Sequence, residues 1–245
     1  MKILLTNDDG IQAEGLNILL DYLADRHEIV VAAPDKERSA ASHSISLNAP
    51  LRIHRHAPNR FSITGTPVDT VFVAVNHLLE QPPDLIISGI NHGANMGEDV
   101  FYSGTVAAAF EGAFRNVKSI AISCVQPYDN FRGILPWLST IINHFHLIPE
   151  SKIININYPS LPEDQIKGIR LTHLGKRYYT NELVARQDEN QETYFLIGGD
   201  VAVWEKQPES DFCAVADGYI SITPLSVSLT DQSLLNHFRR ILDLS

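Results

Sequence analysis

Sulfur and positive charge are both scarce in this chain. Its 245 residues include only two cysteines, Cys124 and Cys213. Two are too few for a disulfide framework, and neither has the spacing of a metal or redox motif. Both sit in apolar contexts (AISCV and DFCAV), so buried thiols in a reducing compartment are expected. Lys and Arg number 19 against 29 Asp and Glu, a formal net charge of −10. That balance excludes a surface built to coat nucleic acid, whose phosphate contacts need clustered basic side chains. It leaves open a small phosphate ligand held by backbone amides and a metal. Long apolar runs are missing, which excludes a membrane-spanning helix of roughly 20 residues. The chain opens directly on a strand-like run, so no leader peptide is expected and the cytoplasm is the expected compartment. No internal repeat or low-complexity stretch is visible. The 44% of hydrophobic residues suffices for the core of one large α/β domain.

The first ten residues, MKILLTNDDG, carry the most chemistry. Residues 2–6 are a short apolar run of the kind that forms a buried strand. It stops at Asn7-Asp8-Asp9-Gly10. Two adjacent carboxylates at a strand end repel one another, and a bound cation relieves the repulsion. All-oxygen ligands suit hard cations such as Mg²⁺ or Mn²⁺. Gly10 permits a sharp turn and a close backbone approach to a ligand. A polar turn with a helix cap explains NDDG alone equally well.

Further along, leucines at 16, 19, 20 and 23 mark one face of a helix, and EIVVAA at 28–33 is the next buried strand. Strand, helix, strand at this spacing implies a parallel sheet with a right-handed crossover. Loops at the strand C-termini of such sheets line the ligand crevice. The loop at 34–50 brings Ser39 there, although a loop serine is more often a turn residue. Residues 51–63 read as short strands in a hairpin. Thr66 as N-cap, Pro67 at N1 and Asp69 at N3 start a helix, with Val68, Val71, Phe72, Val75 and Leu79 inward. Residues 84–88 (DLIIS) form a strand ahead of GINHGANMG. Asn91 and Asn95 in that loop can offer carbonyl oxygens to a cation or amide donors to a phosphate. Ser103, Gly104 and Thr105 then open the helical run VAAAFEGAF. Free N–H groups, two hydroxyls and the positive end of the macrodipole make an anion site, or a plain serine cap. His92 is a candidate ligand or acid, although a loop histidine more often makes structural hydrogen bonds.

Strands at 119–125 and 153–157, with a helix at 131–146 between them, complete a doubly wound, mostly parallel, Rossmann-like three-layer core over residues 1–160. Residues 161–245 form an extension. Extended runs at 169–174, 178–185 and 193–197 imply a long hairpin with its tip at 186–192. Such a hairpin pairs with another subunit, since it cannot bury itself. A short helix at 211–216, a returning strand at 219–223 and an amphipathic helix at 231–244 finish the chain.

The segments ILLTNDDG with Glu14-Gly15, APDKERSAAS, TGTPVD, SGINHGANMGEDVFYSGTVAAAFEG and GYISITPL together resemble the SurE (survival protein E) family. The resemblance implies a metal-dependent phosphatase acting on nucleoside 5′- and 3′-monophosphates, and in some members on short polyphosphate. It implies one divalent cation per subunit held by Asp8, Asp9, Ser39 and Asn91, with Asn95 and Ser103 lining the active site. It further implies a homodimer or tetramer with a projecting hairpin and an exchanged C-terminal segment.

The expected mechanism is metal-assisted hydrolysis, with Asp8, Asp9, Asn95 and Ser103 in the catalytic centre. Gly10, Asn95, Ser103, Gly104 and Thr105 are expected around the phosphate. Direct attack by an Asp is disfavoured, because the chain lacks a D-x-D-x-T pattern. Two rivals remain at this point: a nucleoside N-ribohydrolase and a non-catalytic nucleotide sensor.

Overall fold

The opening apolar run forms strand β1 (Lys2–Thr6), buried from its second residue onward. Among the described residues it lies inside a nine-stranded sheet. This computed structural model describes residues 1–127, 130–147, 152–178, 183–197 and 203–242. After β1, helix α1 (Glu14–Leu23) buries Leu16, Leu19 and Leu23, and β2 (Glu28–Pro34) returns parallel with Leu4 opposite Val30. The expected hairpin is β3 (Ile53–Ala57) and β4 (Arg60–Ile63), and β4 continues the sheet parallel to β2. Helix α2 (Pro67–Val73) starts at Thr66 with a full capping box closed by Asp69. Then follow β5 (Leu85–His92), α3 (Gly104–Phe114), β6 (Lys118–Val125), α4 (Leu135–His146) and β7 (Ile153–Pro159). Strands β1, β5, β6 and β7 lie side by side and parallel.

The strands alternate their burial between two faces, which makes the fold three-layered. Ile3 and Leu5 share one buried cluster with side chains of α1 and α4, while Leu4 shares another with Val71 of α2 and Ala108 of α3.

Three local expectations need correction. Helix α2 is short, and a wider turn over Ala74–Leu78 rotates the chain beyond it. The buried stripe therefore runs Val68, Val71, Ala74 and Leu79; Val75 is only half-buried. Phe72, expected inward, is exposed and lies under the Arg115 guanidinium, 4.1 Å from its ring centre. Strand β5 runs four residues past Ser88, with a register shift against β6 between Ser88 and Asn91. Gly89 sits at φ +138°, where an added Cβ would lie 2.4 Å from the Ile122 carbonyl oxygen.

The sheet does not end at residue 160. The later elements are β8 (Ile169–Leu171), β9 (Arg177–Tyr178), β10 (Leu183–Gln187), β11 (Thr193–Ile197), β12 (Val203–Trp204), α5 (Asp211–Ala216), β13 (Ile220–Leu225) and α6 (Gln232–Ile241). Strand β13 pairs antiparallel with β7, and β8 pairs parallel with β13. Strands β10 and β11 form the antiparallel hairpin around the expected tip. Residues 179–182 of the expected run at 178–185, and 243–244 of the expected last helix, lie outside the described residues. Among the described residues, no helix is long and apolar enough to cross a membrane.

Candidate active site

Asn7 builds the turn that presents the carboxylates. It is fully buried; its Oδ1 accepts the Gly10 N–H at 3.1 Å, and its Nδ2 donates to the Gly10 carbonyl at 3.0 Å. Gly10 (φ +101°) makes its close approach to the chain itself, since an added Cβ would stand 3.1 Å from the Lys36 backbone carbon.

Asp8 is buried against the start of α3. It accepts hydrogen bonds from both the hydroxyl and the backbone N–H of Thr105. Gly104 is the residue that allows this packing, because an added Cβ would lie 2.9 Å from the Asp8 Cβ and Oδ2 atoms. Burial pushes the Asp8 carboxyl up to about 6; the Thr105 bond opposes the rise and the charge of Asp9 adds to it. Asp9 is half-buried, and burial raises its carboxyl too, partly offset by the charge and backbone N–H of His92. One Asp9 oxygen, Oδ2, is buried with no hydrogen-bond partner among the described residues.

Ser39 lies on the exposed loop after β2, with its hydroxyl donating to Glu37 at 2.7 Å. That loop is tied down by Asp69, which accepts both the N–H and the hydroxyl of Ser46, and by the Ser42 N–H donating to the Tyr102 carbonyl. Asn91 is the penultimate residue of β5, and its Nδ2 donates to the Gly93 carbonyl at 2.9 Å, leaving Oδ1 for a ligand. Asn95 is nearly enclosed, with its Nδ2 donating to Ser123 Oγ at 2.8 Å, so Oδ1 is again the atom left over. Ser103 caps α3 by accepting the Val106 N–H at 3.1 Å.

Asp8, Ser39, Asn91, Asn95 and Ser103 line one crevice of about 360 Å³. The structure thus brings together residues from the ends of β1, β2 and β5 and from the start of α3. Asp9, Gly10, Gly104 and Thr105 lie outside that lining. Thr105, expected beside a phosphate, is fully buried and turned to Asp8 instead. His92 borders the crevice, exposed, with its ring stacked on Phe131 at 4.7 Å.

Sequence reasoning missed two features of this crevice. One is the Asp99–Arg177 ion pair on its rim, which joins the loop after β5 to β9 and so depends on a distant pairing. The other is the polar wall behind Asn95, made by Asn155 and Asn157 of β7. The alternation in IININ was the available signal: two carboxamides spaced by one isoleucine share a face.

The donor set fits a hard divalent cation. Two adjacent carboxylates held above their ordinary range, one with an oxygen that no described residue binds, gain most from a positive ion. Everything else within the set is a neutral oxygen. Among the described residues no three His, Cys, Asp or Glu side chains gather, so the arrangement does not resemble a zinc centre.

Comparison with known proteins identifies the family. Residues 3–181 match the protein family described as Survival protein SurE. The chain is 43% identical to the 5′-nucleotidase SurE of Pseudoalteromonas atlantica, covering 98% of both chains. It is 44% identical to the protein of the same name from Gemmatimonas aurantiaca, covering 96% of each. The crystal structure of the SurE protein from Aquifex aeolicus superposes with a TM-score of 0.89 at 34% identity, over 99% of this chain and all of that one. With matches of this extent in sequence and in fold, the chain belongs to the SurE family.

Proposed function

We propose that this protein is a 5′-nucleotidase, a phosphatase that uses a divalent cation to hydrolyse nucleoside 5′-monophosphates. Nucleoside 3′-monophosphates and short polyphosphate are further substrates in this reading. The carrying observation is that Asp8, next to an Asp9 with one oxygen that no described residue binds, meets the Ser103-capped start of α3 at one crevice. The names of the relatives support it.

In this reading Asp8, Asp9, Ser39 and Asn91 hold one Mg²⁺ or Mn²⁺ per subunit. Bound there, the cation supplies charge that polarises a phosphate and lowers the pKa of a coordinated water. Ser103 and the Gly104 N–H bind phosphoryl oxygens at the positive end of α3. Thr105 orients Asp8 rather than touching the phosphate. Asn95 offers its Oδ1 to the crevice, where it orients an attacking water by accepting a hydrogen bond from it. Attack by Asp8 itself is disfavoured, since Thr105 binds one of its oxygens. His92 is the candidate to protonate the departing nucleoside oxygen, as it borders the crevice beside Asp9. We place the enzyme in the cytoplasm as a homodimer or tetramer. Residues 1–160 serve as the catalytic core, and 161–245 as an extension that completes the sheet and oligomerises.

Incubation with AMP and Mn²⁺ or Mg²⁺ is expected to release phosphate and adenosine. EDTA is expected to stop the release, and excess cation to restore it. Free adenine would identify an N-ribohydrolase instead, and tight AMP binding without product a sensor. Phosphate release that resists EDTA would sink the cation's role.

A further inference from the structure

Asn155 and Asn157 stand fully buried on β7 among Ile153, Ile154, Ile156 and Tyr158. Two carboxamides inside an apolar strand are costly unless they are hydrogen-bonded. Their bonds converge on one loop residue. Asn157 Oδ1 accepts the Asn95 N–H at 2.8 Å, and its Nδ2 donates to the Asn95 carbonyl at 2.9 Å. Asn155 Nδ2 donates to that same carbonyl at 2.7 Å. Asn157 thus pairs with Asn95 as a neighbouring strand would, through a donor and an acceptor at once.

The side chain of Asn95 is fixed separately. Its Nδ2 donates to Ser123 Oγ, and Ser123 is fully buried on β6. Register explains the grouping: Asn91 of β5 lies opposite Ser123, and Ser123 lies opposite Asn157. A row of polar side chains therefore crosses three adjacent strands at their C-terminal ends, directly behind the crevice. Asn157 thus holds both backbone groups of Asn95, and Ser123 holds one of its amide hydrogens. Ser123 anchors the inner end of the carboxamide and so holds its other end at the crevice; without that anchor the amide can rotate.

We propose that Asn157 and Ser123 are positioning residues, which fix the backbone and the amide orientation of Asn95 for phosphoryl transfer. This rests on the nucleotidase reading above. The two act through Asn95 and touch no substrate themselves.

The test is a thermodynamic cycle on phosphate release from AMP at saturating Mn²⁺, using Ser123→Ala, Asn157→Ala, Asn95→Ala and each pairing with Asn95→Ala. Ser123→Ala and Asn157→Ala are each expected to lower kcat about 10- to 100-fold with KM near the parent value, the usual cost of removing a residue that orients an active-site group. Each double variant is expected to be no slower than Asn95→Ala alone, because a residue that serves only to place the Asn95 carboxamide has nothing left to place. Losses that multiply in the double variants, or a raised KM at unchanged kcat, would overturn the proposal. Should Asn157→Ala fail to fold, Ser123→Ala, which deletes only a hydroxyl, decides the matter alone. Full activity in Asn95→Ala would remove Asn95 from the chemistry and the proposal with it. A parent protein that releases no phosphate would overturn the nucleotidase reading itself, before any variant is compared.

Discussion

Asp8 binds its proton more tightly in the folded chain than in the unfolded one, since burial raises it from 3.8 to about 6. Below the ordinary value the group is neutral in both states and costs nothing. Between 3.8 and about 6 the unfolded chain ionises first, so stability falls as pH rises. Above that window the penalty is complete, on the order of 3 kcal/mol at about 1.4 kcal/mol per unit. Little solvent screening reduces it, because Asp8 is 5% exposed. Asp8→Asn keeps the shape without the charge. It is expected to abolish phosphate release and yet stabilise the metal-free protein by about 1–3 kcal/mol at pH 7–8, with the gain vanishing near pH 4. For a chain of this size that is about 2–4 °C of Tm per kcal/mol. Thermal melts in EDTA across this pH range measure it, and a variant less stable than the parent at pH 8 would contradict it. Added Mn²⁺ is expected to raise the Tm of the parent and not that of the variant, since only a ligand that binds the folded site stabilises it.

Helix α1 reaches strand β5 through Gly15, and that contact sets where the crevice loop begins. A Cβ at Gly15 would lie 2.2 Å from the Ile90 carbonyl oxygen, one residue before Asn91. Ala is the better helix former by up to about 1 kcal/mol, but a backbone oxygen cannot swing aside as a side chain can. Strain is expected to win. Gly15→Ala should lose about 1–3 kcal/mol of stability and lower kcat by shifting Asn91. Urea unfolding with a lower midpoint at unchanged slope would match, and an undiminished midpoint would show that α1 lifts away at no cost. Elements of this kind were legible in the sequence where their cause is local. The run of β1, the Thr66–Asp69 capping box and the Ser103 cap all rest on neighbours within a few residues. The extension of β5 and the outward turn of Phe72 were not legible. They follow from a register shift against β6 and from which face of α2 the sheet covers, the buried residues being Pro67 to Val71. The site divides in the same way. Residues at strand ends could be placed in one crevice by topology alone. Thr105 facing Asp8, and Asn157 gripping Asn95, depend on register between distant segments.

The nine-stranded sheet closes only with β13 and β8, so the last third of the chain contributes to the core as well as projecting from it. What projects is apolar. Helix α6 buries none of its residues, leaving Leu234, Leu235, Phe238 and Ile241 exposed. The hairpin of β10 and β11 exposes Leu183, Val184, Phe195 and Leu196. A ten-residue amphipathic helix and a two-stranded hairpin are each marginal in water without a surface to cover them. Another copy of the chain is the surface consistent with the proposed dimer. The net charge of −10 works against this, since like-charged subunits repel. Moderate salt screens that repulsion and leaves apolar burial intact. Sedimentation equilibrium at micromolar concentration is therefore expected to give a multiple of 27.3 kDa, with association strengthened by added salt. Leu235→Glu combined with Phe238→Glu places two charges on the apolar face of α6 while leaving the sheet untouched. It should shift the distribution toward smaller species without lowering the secondary-structure signal. A parent that sediments as a single chain at every salt concentration would overturn the oligomer.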